Sequence, residues 1–250
     1  MMSFWETIGA PQDISTHGHR IDSLFNYITI LNSFFFLLLI TGLVVFSYRY
    51  AKKRHPKPYF TYGNKKKHIW VVTLIGAAVF FLIDLNVTRM SNNDMVGIFW
   101  NWPKEDEDIV KVQVLAQQWM WTFRYAGPDG VFNTSDDVVN NHELHLPTGK
   151  KILVQVTSKD VIHSFFIPNV RLKVDAIPGR VTRMWFDVNK EGAYDIACAE
   201  MCGTSHYLMQ AKLIVHSPEK FSGWLAEANQ YASLHNDSSN PDLFWGWKWE

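Results

Sequence analysis

The chain has 250 residues, enough for one domain or two, and its 24 basic residues are matched by 24 acidic ones. A formal net charge of zero excludes the one-sided charge of a nucleic-acid-binding protein. Two cysteines can form at most one bridge, which excludes a disulfide scaffold. The 11 tryptophans suit a protein held at a membrane interface or a protein contact.

Residues 1–22 are polar and mixed, with His17, His19, Arg20 and Asp22 close together. They lack the short basic start of a secretory leader, and no small-residue cleavage site follows the apolar run beyond them. From Tyr27 to Tyr48 no residue is charged, and Phe34 to Ile40 form an unbroken apolar centre. A hydrocarbon core takes roughly 20 helical residues to cross, so this run predicts a first transmembrane helix over about 27–48. The next segment carries Arg49, Lys52, Lys53, Arg54, Lys57 and Lys65 to Lys67 with no acid, the mark of a cytoplasmic loop. A second apolar run, Ile69 to Ile83, continues past Asp84 through Leu85 and Val87 and predicts a span over about 69–88. Asp84 is read as a hydrated, interfacial carboxylate near the outer end of that span. With the loop inside, everything after about Asn92 lies outside.

Beyond Ile109 the pattern changes to period two. Ile109 to Leu115, Lys151 to Thr157, Arg180 to Val188 and Leu208 to Val215 alternate in the way of half-buried strands, separated by Pro, Gly, Asn and Asp turns. An all-β sandwich or barrel is predicted. Ser217-Pro218-Glu219 opens a terminal helix running towards Tyr231. The tail from Asn236, with Phe244, Trp245, Trp247 and Trp249, reads as a docking segment. The domains expected are 1–91 for the anchor, 92–216 for the β domain, and 217–250 for the helix and tail. No C-x-x-C-H motif occurs, so no haem c is attached.

The chemistry concentrates between Cys198 and Met209. Cys198, Cys202, His206 and Met209 place two thiols, an imidazole and a thioether within twelve residues. Soft sulfur ligands with imidazole point first to copper. On spacing alone a Cys198–Cys202 disulfide and a zinc site remain open.

Four stretches in this order, Gln118-Trp119-Met120-Trp121, Asp160 to Phe165, Asp175 to Arg180 and Cys198 to Met209, resemble subunit II of cytochrome c oxidase, a haem–copper terminal oxidase. The resemblance covers nearly the whole chain. It implies a two-helix transmembrane hairpin followed by an all-β cupredoxin-like sandwich with a short C-terminal helix. It also implies two copper ions in a dinuclear centre, CuA. Cys198 and Cys202 would bridge both ions, His163 and His206 would each give one nitrogen, Met209 a weak thioether contact and Glu200 its backbone carbonyl. The Glu200 carboxylate would help bind a magnesium ion shared with subunit I. Trp119 is similar to the tryptophan at which the family receives an electron from cytochrome c. The partners implied are subunit I, other oxidase subunits, a c-type cytochrome and the lipid bilayer. The location implied is the bacterial inner membrane, with both termini and the copper domain in the periplasm.

Three departures from the family stand out. Lys67 and His68 occupy the start of the second helix, where the family carries a Glu near a proton pathway. Arg124 stands where an acid often lies on the docking surface, and the acids appear instead between Asp129 and Asp137. That loop could serve as a modified docking face, and its oxygen pattern loosely suggests calcium, although a solvated turn accounts for it more simply. Met120 replaces an aromatic residue between Trp119 and Trp121. The reading is an oxidase subunit that accepts electrons from cytochrome c and passes them to haem in subunit I, where oxygen is reduced and protons are translocated. A quinol oxidase subunit would lack the copper ligands. A nitrous oxide reductase would need a propeller domain for which 250 residues leave no room. A tethered copper-binding or assembly protein is the rival from another class.

Overall fold

The computed structural model describes residues 9–57, 60, 62–104 and 108–235; the aromatic tail lies outside the described residues. The chain divides into two compact units, Arg20–Asn101 and a second made of Met1–His19 with Trp102–Glu250.

The first unit holds two long helices, α1 (Gly18–Arg49) and α2 (Lys66–Phe99). Both are long and apolar enough to cross a membrane. Leu39 is 70% and Leu82 71% exposed, typical of the apolar side chains around both helices. Water would charge roughly 25 cal/mol for each Å² of that surface, whereas a hydrocarbon solvent removes the cost, and helices keep their backbone polar groups bonded internally. The helices extend past the apolar runs at 27–48 and 69–88 because the added turns find polar partners. Arg20 of α1 binds Asp94 of α2, its Nε lying 2.8 Å from Oδ1. Asp84 does not end its helix. It closes a π-helical turn, Phe80–Asp84, in the middle of α2, and the helix continues to Phe99. There it lines a cleft of about 410 Å³ with Asn32, Thr88 and the apolar residues Ile28, Phe35 and Val87.

The second unit is a sandwich of two five-stranded sheets. One has the order β3 (Val138–Asn141), β2 (Met120–Tyr125), β1 (Ile109–Gln117), β5 (Lys151–Ser158) and β8 (Thr182–Asp187). The other runs β4 (Glu143–Pro147), β10 (Gln210–His216), β9 (Gly192–Cys198), β6 (His163–Ile167) and β7 (Leu172–Ala176). The alternation read in the sequence sets which face is buried. Ile152, Val154 and Val156 of β5 are fully buried, and in β10 Ala211, Leu213 and Val215 point inward between exposed Gln210 and Lys212. β1 and β5 pair in parallel with Val112 opposite Val154 and Val114 opposite Val156, so their apolar residues share one face.

Aromatic rings tie the sheets together. Phe165 of β6 meets Trp121 of β2 edge-on at 5.2 Å and Phe123 at 6.2 Å, contacts contributing about 0.5–1.5 kcal/mol each beyond their buried area. The polar N-terminal segment supplies a plug that its composition conceals. Ile14 is completely buried, its N–H donates to Asn169 at 3.0 Å, and its carbonyl accepts from Asn189 at 2.8 Å. The Ser15 hydroxyl then accepts the Gly18 N–H at 2.8 Å where α1 begins. The terminal helix, α3 (Pro218–His235), starts as expected and runs beyond Tyr231. The Ser217 hydroxyl accepts the Lys220 N–H at 3.3 Å, and Pro218 stands at the first position, where no donor is needed.

Candidate metal centre

β9 ends at Cys198, β10 begins at Gln210, and the two strands are antiparallel neighbours, so residues 198–209 form the loop of one hairpin. The Cys198 N–H donates to the Met209 carbonyl at 3.1 Å and closes the base of this loop. Gly203, with φ +122°, turns the chain back, and a 3₁₀ turn over His206–Leu208 returns it to Met209. The loop is therefore folded so that Cys198, Cys202, His206 and Met209 converge. β6 lies on the other side of β9, with Phe165 opposite Cys198 and the Ala199 N–H donating to the Ser164 carbonyl at 2.9 Å. That neighbour brings in His163, distant in sequence.

The sulfur atoms of Cys198 and Cys202 are 3.7 Å apart, far from the roughly 2.05 Å of a disulfide, and both thiols are free. His163 Nδ1 lies 3.1 Å from Met209 Sδ and 4.0 Å from Cys198 Sγ. Met209 Sδ is 3.7 Å and His206 Nδ1 3.5 Å from Cys202 Sγ, while the Glu200 carbonyl is 3.2 Å from Cys198 Sγ. His163, Cys202 and Met209 are almost wholly buried, whereas His206 is half-buried and the Glu200 side chain is exposed. Ligand atoms of His163, Cys198 and Cys202 all lie within 4.8 Å of one another. A buried thioether beside two thiols and two imidazoles fits copper better than zinc, whose protein ligands are thiolate, imidazole and carboxylate.

The electrostatics suit a cation. Burial opposes charge on the Cys198 thiol, but hydrogen bonding with His163 and with the backbone at Ser164 and Glu200 wins, holding it at about 6. Burial, joined by the neighbouring Cys198, pushes Cys202 up to about 12. A metal ion binding both sulfurs must displace the Cys202 proton. Burial also opposes a charged His163, yet Cys198 and Asp160 outweigh it and raise its value. Nε2 of His163 meets Asp160 Oδ1 at 2.8 Å, which leaves Nδ1 aimed at the sulfurs.

Asp160 and Gln118 are parts of the site to which the residue types alone assign no role. Asp160 accepts the Gln118 backbone N–H at 2.6 Å, and the Gln118 amide donates to the Cys202 carbonyl at 2.7 Å. The signal was their position inside the Gln118–Trp121 and Asp160–Phe165 stretches. The third stretch, Asp175–Arg180, stays out of the pocket. Asp175 accepts from the Ser164 hydroxyl at 2.7 Å, and Ala176 pairs with His163 across β6 and β7, which supports the strand bearing the imidazole.

The docking-face reading of Arg124 is corrected. Its side chain is 1% exposed and binds Asp137, itself 3% exposed, along with the Asn133 side chain, so neither charge is offered to a partner. Within the acidic loop the carboxylates serve the loop itself. Asp129 accepts from the Val131 N–H at 2.8 Å, Asp136 from the Thr134 hydroxyl at 2.7 Å, and Asp137 from the Asn133 N–H at 2.7 Å.

A soft-metal pocket on the end of a cupredoxin-like sandwich, in a chain with two membrane-spanning helices, defines a membrane-anchored cupredoxin-class protein. The profile of the family described as cytochrome c oxidase subunit II, periplasmic domain, matches residues 110–217. The alternative cytochrome c oxidase subunit 2 of Bradyrhizobium diazoefficiens is 29% identical over 243 residues, covering 88% of this chain and 84% of that protein. Cytochrome c oxidase subunit 2 of Thermostichus vulcanus is 42% identical over 113 residues, covering 45% of this chain and 32% of its own length. Among solved structures, the periplasmic domain of cytochrome oxidase subunit II of Bradyrhizobium japonicum is 31% identical, with a TM-score of 0.45 over 51% of this chain and 96% of that domain. Residues 110–217 thus match the periplasmic domain of the cytochrome c oxidase subunit II family, and the relatives similar over most of the chain are cytochrome c oxidase subunits 2.

Proposed function

We propose that this chain accepts electrons one at a time from cytochrome c and hands them to haem in subunit I. The observation that carries the reading is the convergence of both thiols, His163 and Met209 in one buried pocket at the end of the sandwich. Cys198 and Cys202 would hold two copper ions between them, with His163 and His206 as nitrogen ligands and Met209 and the Glu200 carbonyl as weaker ones. When bound, the copper pair supplies a one-electron store with a charge spread over two metals and two sulfurs. The protein's part is to keep the ligand geometry constant. The hairpin base at Cys198 and Met209, and the Asp160–His163 bond, fix the donors before any metal arrives. Burial removes water whose reorientation would accompany each change of charge.

Trp119 is the proposed point at which the electron arrives. The exposed Glu200 carboxylate is the proposed link to magnesium at the subunit I contact, a hard oxygen suited to a hard cation. The basic segment between the helices supports a periplasmic position for the sandwich at a bacterial inner membrane, by the preference of Lys and Arg for cytoplasmic loops.

The test is a metal count and electron paramagnetic resonance on the full-length chain in its oxidase complex. Two coppers per chain with one unpaired electron delocalised over both is the expected result. A single zinc, or a Cys198–Cys202 disulfide in the active complex, would rule the reading out.

A further inference from the structure

The turn between β1 and β2 belongs to the first sheet, and the metal-binding loop belongs to the second. Gln118, in that turn, reaches both ligand-bearing segments at once. Its side-chain amide donates to the Cys202 carbonyl at 2.7 Å. Its backbone N–H donates to Asp160 Oδ2 at 2.6 Å, and the other oxygen of that carboxylate meets His163 Nε2 at 2.8 Å. Trp119 follows directly. Its indole Nε1 is buried and has no hydrogen-bond partner among the described residues, so no polar contact of its own fixes the ring.

Gly203, adjacent to Cys202, completes the arrangement. A Cβ there would fall 2.8 Å from Gln118 Nε2, 3.1 Å from Trp119 Cζ2 and 3.3 Å from Trp119 Nε1. Its φ of +122° is a conformation that side-chain-bearing residues rarely adopt. The absent side chain is what lets the Gln118 amide and the indole edge lie against the ligand loop.

We infer that Gln118 and Gly203 are positioning residues that clamp the Trp119 indole against the Cys202–Gly203 backbone and thereby set the rate of electron arrival. The inference rests on Trp119 being the point of arrival, as proposed above. One electron leaves the ferrous haem of the donor cytochrome and reduces the copper centre, and no bond or proton moves. The rate of such a step falls steeply with each non-bonded gap. Contact at Gly203 reduces the path to one such gap followed by the covalent backbone to Cys202. Loosening the clamp widens that gap without touching a ligand.

The test uses the full oxidase complex with Gln118→Met, which keeps side-chain length and the backbone N–H but removes the amide donor. Gln118→Glu replaces the donor with a charge facing the Cys202 carbonyl, and Gly203→Ala closes the space. The first readout needs no metal. With 5-fluorotryptophan incorporated, the ¹⁹F resonance of Trp119, assigned by its loss in Trp119→Phe, should shift and broaden in the copper-free chain, more for Glu than for Met. The second is reduction of the metal centre by cytochrome c, which should slow roughly 10-fold in Gln118→Met with two coppers retained. Reduction by a small chemical reductant that reaches the centre without Trp119 should be unchanged. An unmoved resonance, equal slowing with both reductants, or loss of copper would each overturn the clamp. If Gly203→Ala does not accumulate, the Gln118 variants decide. If Trp119→Phe leaves cytochrome c reduction unchanged, the proposed electron route fails, while the fluorine signal still tests the clamp.

Discussion

Cys202 carries the heaviest chemical demand of any single residue. Its thiol is pushed up to about 12 by burial and by Cys198, so it stays protonated at neutral pH until a metal displaces the proton. Serine at this position offers a poorer donor with a far less acidic proton. Cys202→Ser should leave the helices inserted, remove the delocalised two-copper signal, and lower cytochrome c oxidation by roughly 100-fold or more, the upper end of what losing even an outer partner of a ligand costs. Arg124 makes the opposite kind of demand. Burial lowers its pKa to about 10 against the pull of Asp137, and burial raises Asp137 in turn. Removing one member of such a pair leaves an uncompensated buried charge, so Arg124→Met should destabilise the sandwich by about 3–5 kcal/mol in denaturant unfolding. A double change of Arg124 to Met and Asp137 to Leu should recover much of that loss. Cys202 was legible as a soft ligand from its spacing, but the buried Arg124–Asp137 pair was not legible in residue type. An Arg between Phe123 and Tyr125 reads as an outward surface residue, whereas the fold buries it against Asp137 and Asn133.

At the scale of elements, α3 is held to the sandwich by a stack of rings. His145 of β4 lies parallel to Trp224 at 4.1 Å, and His145 Nδ1 meets His216 Nε2 at 2.8 Å. Burial lowers the His145 value, with Glu143 opposing and His216 assisting; burial also lowers His216, with Lys220 assisting and Glu191 opposing. Both folded-state values thus lie below the unfolded value of about 6.5. The unfolded chain then binds more protons below that pH. The stabilisation is full above about 6.5 and is lost as pH falls through the folded-state values. Hydrogen exchange of α3 amides, corrected for intrinsic rate, should therefore be faster at pH 5 than at pH 7, and Trp224→Ala should abolish most of the difference. Equal protection at both values would show that another contact holds the helix. The helix itself was readable from Ser217-Pro218-Glu219, because capping and proline placement are local. Its docking surface was not, since His145 and His216 meet only when β4 and β10 pair in parallel.

At the scale of the whole molecule, the metal couples binding to folding. A ligand that binds only the folded state at about 100 times its Kd adds about 2.7 kcal/mol of stability. For a domain of this size that corresponds to roughly 5–10 °C in Tm. Stripping copper with a chelator should lower the unfolding temperature of the sandwich by that order, and Cys202→Ser should show almost no such dependence on copper. Sidedness is tested on the same scale. A cysteine introduced at Lys57 should resist a membrane-impermeant thiol reagent added from the periplasmic face, whereas one at Asp129 should react; the reverse pattern would invert the topology.

The sequence by itself determined the features in which cause and effect lie close along the chain. Two long apolar runs must become helices in a hydrocarbon solvent, period-two alternation must become half-buried strands, and the ligands from Cys198 to Met209 fall within one hairpin loop. The tertiary structure alone decided what depends on strands distant in sequence becoming neighbours. It set His163 beside Cys198 through the pairing of β6 with β9, buried Ile14 in the core, turned Arg124 inward, and laid Gln118 and Trp119 against Gly203. Asp84 marks the same boundary in the other unit, for a carboxylate reads as a helix end until the turns beyond it find polar partners of their own. Local pattern reports what a segment can form. Which surfaces then meet is settled by burial over the whole chain, because apolar area leaves water only when both faces arrive together.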